Sequence, residues 1–342
     1  MTSVTIAIDC MGGDFGPSVL IPAACEALQK HSNLSLLLVG LPDKIEVELQ
    51  KSGLQFGDRI DIVNATQTIL MSDKPSQALR KKKDSSMAVA LSTVAEGRAQ
   101  ACVSAGNTGA LMAFSRFILK MIPGVARPAI TTSIPTEKGH TRLIDLGANV
   151  DCTAEQLYQF ALMGSSMVSA IDNIAKPKVG LLNIGSEAIK GNEQTRSASE
   201  ILESSTHLNY RGYVEGDAVY RGVVDIVVCD GFVGNVLIKG SEGVARMFIN
   251  RLRKEFNRNL LTRLLSVVVL PILESFRKRV NPDQYNGASF IGLQGIVIKS
   301  HGGANQHATV AAIEEAIREV ENNVPAIIRE KIKDQLDTEI SK

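Results

Sequence analysis

The sequence predicts an α/β protein whose mostly parallel sheet is covered by helices. Short β-branched apolar runs alternate with helix-period segments along the chain. Glycine–polar turns follow those runs at least six times. A chain of 342 residues can also bury a large core, as one big domain or two smaller ones.

The elements follow in order. Val4–Ile8 is an apolar strand ending at the turn Met11-Gly12-Gly13-Asp14. Pro17 opens a helix to about Lys30, since the fixed φ of proline suits a first turn. Leu34–Val39 reads as a buried strand ending at Gly40, and Ile60–Val63 as a third strand. Met87–Ala95 is helical. Ala101–Val103 leads into the run Ser104-Ala105-Gly106-Asn107-Thr108-Gly109, and Ala110–Lys120 continues as a helix. Ala129–Ile134 and Arg142–Leu146 read as paired strands joined around Glu137-Lys138-Gly139. Ala154–Ala170 is a helix whose small residues favour close packing. Lys178–Ile184 is a strand, Glu193–Glu203 a helix, and Val223–Cys229 and Phe290–Lys299 are later strands. In Ala308–Val320, the side chains of Val310, Ile313, Ile317 and Val320 share a face. Glu314, Glu315, Arg318 and Glu319 are expected to point away from it. There is no internal repeat and no low-complexity linker.

Bulk properties exclude several classes. A net charge of +1 gives no pointer to nucleic acid. Cys10, Cys25, Cys102, Cys152 and Cys229 are scattered, mostly inside apolar runs, which favours buried free thiols in a reducing cytoplasm. No C-x-x-C occurs and the histidine spacing fits no zinc pattern, so neither a metal nor a cofactor is expected. Asp9 interrupts the first apolar run too early for a signal peptide. Leu264–Leu273 is uncharged over 10 residues, short of the roughly 20 that span a bilayer.

One segment departs from the alternation. Residues 246–285 carry nine Arg/Lys and three acids, or +6, which leaves −5 for the remainder. Two helices meeting near Pro271 are expected, basic along their length and apolar at the tip. Residues 241–285 thus form a helical hairpin excursion from a single α/β catalytic domain over 1–342. A dimerisation hairpin with a solvated basic face explains the pattern; so does a device that docks on a membrane surface or an acidic protein.

The turns carry the chemistry. In Ser104–Gly109 a strand, a small-residue turn and a helix start are arranged so that backbone N–H groups and a helix dipole can hold an anion. Helix capping by Asn107 or Thr108 uses the same geometry. In Asp9-Cys10-Met11-Gly12-Gly13-Asp14 the glycines admit close approach of a ligand and the aspartates can accept hydrogen bonds; a tight turn with Asp side chains capping the backbone is the plain alternative. The spacing is not the dinucleotide fingerprint. Asp145-x-Gly147-Ala148-Asn149, Asn183-Ile184-Gly185-Ser186, Lys190-Gly191-Asn192-Glu193, Asp230-Gly231-Phe232-Val233-Gly234-Asn235 with Lys239 beyond it, and Lys299-Ser300-His301-Gly302-Gly303 complete the set. Each alone is turn-like. Strand ends at one sheet edge would bring them into one cleft. His31, His140 and His207 read as surface or turn residues, whereas His301 lies between Lys299 and Gly302 and is a site candidate.

Taken together in this order, these motifs resemble the bacterial phosphate acyltransferases of phospholipid synthesis, from Ile6 to beyond His301. Ser186 stands where members often carry an acidic residue, and Cys10 where Ala or Val is usual. The resemblance implies the three-layer α/β/α fold of isocitrate/isopropylmalate dehydrogenases and phosphotransacetylases. It implies transfer of a fatty acyl chain from acyl-carrier-protein thioester to inorganic phosphate, giving acyl phosphate. It also implies a homodimer, cytoplasmic and peripherally held at the inner membrane face, whose product feeds a glycerol-3-phosphate acyltransferase. Within the family the basic helical pair is associated with dimerisation and membrane contact.

Phosphate is already anionic near neutral pH and a thiol leaves with a pKa near ~8.5, so neither end demands a strong acid or base. Direct attack without an acyl-enzyme is expected. Ser104, Gly106, Asn107, Thr108 and Gly109 would seat phosphate, with Gly12, Gly13, Asp14, Asn149, Asn183, Gly234, Asn235 and Lys239 completing the substrate surface. Lys190, Asn192 or Lys299 would balance charge, and His301 would protonate the departing sulfur. Asp9, Asp145 and Asp230 would position these donors. Competing readings are a phosphotransacetylase using coenzyme A thioesters, separable by comparing donors, and a non-enzymatic scaffold for carrier protein at the membrane, separable by phosphate-dependent thiol release.

Overall fold

The computed structural model describes residues 3–259, 262, 269 and 282–340. The chain runs β1 (Val4–Asp9), α1 (Pro17–Lys30), β2 (Leu34–Gly40), α2 (Pro42–Ser52), β3 (Ile60–Asn64), α3 (Pro75–Lys81), α4 (Ser86–Ala95), β4 (Ala101–Ser104) and α5 (Thr108–Ile118). It continues β5 (Ala129–Thr136), β6 (Gly139–Ile144), α6 (Ala154–Asp172), β7 (Lys178–Leu182), α7 (Glu193–Ser204), β8 (Asn209–Val214) and α8 (Gly216–Tyr220). The last elements are β9 (Ile226–Val228), α9 (Gly231–Phe256), β10 (Ala288–Ile291), β11 (Ile296–Lys299), α10 (Gln306–Glu321) and α11 (Val324–Ile340).

Among the described residues eleven strands join one sheet, in the order β3-β2-β1-β4-β11-β10-β5-β6-β9-β7-β8. The β11–β10, β10–β5 and β5–β6 pairings are antiparallel and the other described pairings parallel, so the sheet is mostly parallel. Three consecutive antiparallel pairings reverse the strand direction between the two halves: β1, β2, β3, β4 and β11 run one way, β6, β7, β8 and β9 the other. Register then decides where the strand ends fall. Ile62, Leu38, Ile8, Val103, Ile298, Ser289, Thr131, Ile144, Val228 and Leu181 are successive cross-strand partners in one row. In both halves the strands finish just past this row, but in opposite directions.

Alternating side chains place helices on two faces, as three layers require. On the back face, Ile6, Ile8 and Ile298 pack on α1 and α10, and Ile144, Ile226 and Val228 pack on α6, α7 and α11. On the front face, Ala7, Val297, Ile130 and Phe290 meet α3, α4 and α5, while Leu143 and Val227 meet α8 and α9.

The structure corrects several expectations. Phe290–Lys299 is not one strand but the pair β10 and β11. They are separated at Gly292, whose φ of +93° suits glycine. Strand structure in 223–229 is confined to Ile226–Val228. Glu315 and Glu319 do not point away to solvent. Both are buried: Glu315 meets the buried Arg142 of β6, which reaches across the back face, and Glu319 meets Ser289 of β10. Arg142 Nη2 donates to Glu315 Oε1 at 2.9 Å, and its Nε lies 3.9 Å from Asp172 of α6. The cysteines at 10, 25, 102 and 229 are buried free thiols and Cys152 is half-buried.

Of the hairpin expected over 241–285, the described part is the end of α9, which exposes Val244, Met247, Phe248, Ile249 and Leu252 beside Arg246, Arg251, Arg253 and Lys254. Its tip at Leu264–Leu273 falls almost wholly outside the described residues. Among the described residues no helix is long and apolar enough to cross a membrane.

Candidate active site

Asp9, Ser104 and Lys299 end three adjacent parallel strands and are direct cross-strand partners. Residues in register share a face, so all three side chains point to the front of the sheet. All three are buried. Ser104 Oγ donates to Asp9 Oδ2 at 2.7 Å and accepts the Gly106 N–H at 3.1 Å. Lys299 Nζ donates to the carbonyls of Ala105, at 3.3 Å, and Ser300.

The loops leaving these strands interlock through glycines. A Cβ on Gly12 would lie 2.7 Å from the Gly106 nitrogen, and one on Gly13 would lie 2.9 Å from the Gly302 carbonyl oxygen. Gly13 also has φ of +80°, which disfavours any side chain. The Asp14 N–H donates to the Gly302 carbonyl at 2.8 Å. The Asp9–Asp14, Ser104–Gly109 and Lys299–Gly303 motifs therefore form one bank.

Within it, Asn107 caps α5 by accepting the Ala110 N–H, and its Nδ2 donates to the carbonyls of Met71 and Asp73. Both amide hydrogens are committed, so the Asn107 side chain has none left for phosphate, contrary to expectation. Thr108 and Gly109 are exposed, and a helix leaves their first-turn N–H groups without intrahelical acceptors. The Gly303 N–H donates to His301 Nδ1 at 3.1 Å, and the His301 N–H donates to Asn286 Oδ1. With Nδ1 accepting, the ring carries its proton on Nε2. The ring hydrogen available to a departing sulfur is therefore the one on Nε2.

A second bank leaves β6, β9 and β7, whose residues Ile144, Val228 and Leu181 are in register. The buried Asp145 carboxylate accepts five N–H bonds, from the backbones of Ile130, Gly147, Ala148 and Asn149 and from Asn149 Nδ2. It organises its own loop. Asp230 caps α9 by accepting the Val233 N–H. The Gly231 N–H donates to the Asn149 carbonyl at 2.7 Å. A Cβ on Gly234 would sit 1.9 Å from the Asp145 carbonyl oxygen, and Gly147 lies against Asn235. In the next loop Asn183 Nδ2 donates to the Lys190 carbonyl and Asn192 caps α7.

The six turns thus do not leave one sheet edge. Three form each bank, and the banks start from the same row facing opposite ways. Lys299 and Asp145 stand one residue to either side of that row, three strand spacings apart, or roughly 15 Å. No hydrogen bond or ion pair among the described residues joins Lys190 or Asn192 to the Asp9–Ser104–Lys299 cluster. Lys239 of α9 bridges the gap electrostatically: it is exposed, paired with Glu242 at 3.0 Å, and its charge is felt at Lys299.

The electrostatics set the chemistry. Burial drives Lys299 from 10.5 down to about 8, against the attraction of Asp9 and Asp14 and helped by Lys239. Burial pushes the Asp9 carboxyl up, while hydrogen bonds from Ser86, Ser104 and Met11 and the Lys299 charge hold it back. Burial also raises Asp145, opposed by its N–H donors. A weakly acidic ammonium beside a helix N-terminus can hold an anion and release a proton near neutral pH.

Sequence reasoning missed Ser86, at the start of α4, which bonds Asp9. It also missed Asn286, which ties the His301 backbone to Ser300 Oγ through Nδ2 at 2.8 Å. The signals were the capping serine pair Ser85-Ser86 ahead of Met87 and the turn dipeptide Asn286-Gly287.

The similarity of this chain to known proteins spans nearly its whole length. Residues 4–327 match the family described as fatty acid synthesis protein. A phosphate acyltransferase of Legionella pneumophila (strain Paris) is 54% identical over 334 residues, 98% of each chain. One from Nitrosococcus oceani is 55% identical over 323 residues, 94% of this chain and 95% of its own. Among solved structures, a phosphotransacetylase from Streptococcus pyogenes is similar with a TM-score of 0.65 at 18% identity, covering 93% of this chain and 94% of that one. A branched-chain phosphotransacylase from Enterococcus faecalis V583 gives 0.57 at 15%, covering 93% and 99%. At such identities the structural likeness speaks for the fold alone.

Proposed function

This chain belongs to the phosphate acyltransferase family and is an acyltransferase, and from that premise we propose that it moves a fatty acyl group from an acyl-carrier-protein thioester to inorganic phosphate. The observation that carries the proposal is the in-register trio Asp9, Ser104 and Lys299 beside the N-terminus of α5.

Phosphate sits on the first-turn N–H groups of Thr108 and Gly109 with the Lys299 ammonium beside it. The thioester enters between the two banks. A phosphate oxygen attacks the thioester carbonyl carbon, the C–S bond breaks, and acyl phosphate and free thiol result. No acyl-enzyme forms, because the nucleophile is already an anion at neutral pH. The departing thiolate has a conjugate acid near ~8.5, and Lys299 at about 8 is a matched proton donor for it. His301 Nε2–H supplies a further hydrogen bond to the developing charge. Asp9 and Ser104 are positioning residues: they fix the Gly106 backbone and balance the Lys299 charge. Asp145 and Asp230 hold the opposite bank in place. Lys190, Asn192 and Asn183 form the far rim.

Carrier proteins are acidic as a class, so the basic residues along α9 form the dock. The apolar stretch beyond them meets the membrane face, in a homodimer that passes acyl phosphate to a glycerol-3-phosphate acyltransferase. The test is one assay with palmitoyl-carrier protein and labelled phosphate. Formation of labelled acyl phosphate, with a rate that falls as salt rises, is expected. Absence of phosphate-dependent thiol release overturns the reading.

A further inference from the structure

We propose that four exposed apolar side chains on the second bank, Val150, Ile184, Ile189 and Phe232, form the surface that receives the acyl chain of the donor and set its preference for chain length. The proposal deepens the acyl-transfer reading above and rests on it. Their exposures are 62%, 82%, 82% and 61%. Single exposed apolar residues are ordinary, but four on adjoining turns at a site are a patch.

The geometry brings them together in two pinned pairs. The Gly231 N–H bonds the Asn149 carbonyl, so Val150 and Phe232 leave from neighbouring backbones. Asn183 bonds the Lys190 carbonyl, so Ile184 and Ile189 flank that bond. The pairs are adjacent because β7 and β9 are, with Leu181 level with Val228. The patch continues along α9 through Val233 and Val236, exposed at 41% and 58%. Seven residues of helix, about 10 Å, separate Phe232 from Lys239, whose charge reaches Lys299. The apolar surface therefore leads along α9 toward the charge that Lys299 senses.

The occupant follows from the chemistry. In the first bank the loops interlock so closely that a Cβ on Gly12 or Gly13 would lie 2.7 or 2.9 Å from a facing backbone atom. An acyl tail whose thioester carbonyl points at Lys299 leads away from that bank toward the second one, whose exposed apolar side chains include these four. A second copy of the chain resting on the same patch is the rival occupant, and the experiment separates the two.

Binding of S-butyryl-pantetheine and S-dodecanoyl-pantetheine is measured calorimetrically without phosphate, on the full-length protein, for wild type, Ile184→Asp and Phe232→Asp. Each methylene buried is worth up to about fourfold in affinity, so wild type is expected to prefer the dodecanoyl compound at least 100-fold. In each variant the ratio should fall at least tenfold. Ile184→Ser and Phe232→Ser repeat the test without an added charge. An unchanged ratio overturns the proposal. So does a variant that alters the oligomeric state by light scattering while keeping the ratio. Turnover on the same donors with phosphate is scored separately: a chain-length preference in binding without any transfer overturns the acyl-transfer reading and leaves the chain-binding patch standing.

Discussion

Replacing Lys299 by methionine should make this protein more stable and stop it working. The displacement of Lys299 from 10.5 to about 8 is worth about 3 kcal/mol between its charged and neutral forms. Below about pH 8 the folded and unfolded chains both carry the proton, and the fold bears the full cost of a buried charge. Between about 8 and 10.5 only the unfolded chain keeps it, so this residue makes the protein more stable as pH rises through that window. Lys299→Met removes the cost at pH 7. Asp9 loses its cation in the same change, so the expected net gain is about 1–3 kcal/mol. Urea unfolding of both proteins at pH 7 and pH 10 reads the effect, and the advantage of the variant should shrink at the higher pH. Acyl transfer by the variant should drop at least about 100-fold, and wild-type kcat/KM should decline as pH climbs through about 8. A variant less stable than wild type by the same amount at both pH values would refute the reasoning, since Lys299 would then be a structural counter-charge. Retained transfer would refute its place in the chemistry.

Ser104→Ala deprives Asp9 and the Gly106 N–H of their shared partner; turnover should fall by about 100-fold with an unchanged far-UV circular dichroism spectrum. Asp145→Asn turns an amide NH2 toward donors that now meet a carboxylate, and should cost about 3 kcal/mol in urea unfolding. Gly234→Ala places a methyl 1.9 Å from the Asp145 carbonyl oxygen. The start of α9 has to move, and a loss of about 3 kcal/mol or more is expected in thermal melts, together with loss of transfer.

Much of the architecture was legible because local physics dictated it. Pro17 and Lys30 bound α1 as expected, since proline suits a first turn and His31 turns extended. Glu137-Lys138-Gly139 marked the β5–β6 hairpin, and its register bears this out. What was not legible depended on partners remote in sequence. A helical wheel cannot show that Glu315 and Glu319 are buried, because Glu315 pairs with Arg142 on β6 and Glu319 meets Ser289 on β10, both remote in sequence. The reversal of strand direction hinges on the short strand β10, whose separation from β11 at Gly292 looks like an interruption in one apolar run. The motif residues were found, but not their division of labour. Asn107 read as a phosphate donor or as a cap, because caps and anion sites draw on the same side chains. Only counting their hydrogen bonds separates the two uses.

The uninterrupted row across the sheet has a mechanical consequence. The two banks leave that row in opposite directions, joined by the strands β10 and β5 and braced behind by Arg142. Widening the gap means winding that strip like a torsion spring about the Arg142–Glu315 fulcrum. Because its loops interlock through Gly12 and Gly13, the first bank should move as one body. Admission of a bulky donor is thereby separated from the grip on phosphate, and softening the fulcrum should alter the first without touching the second.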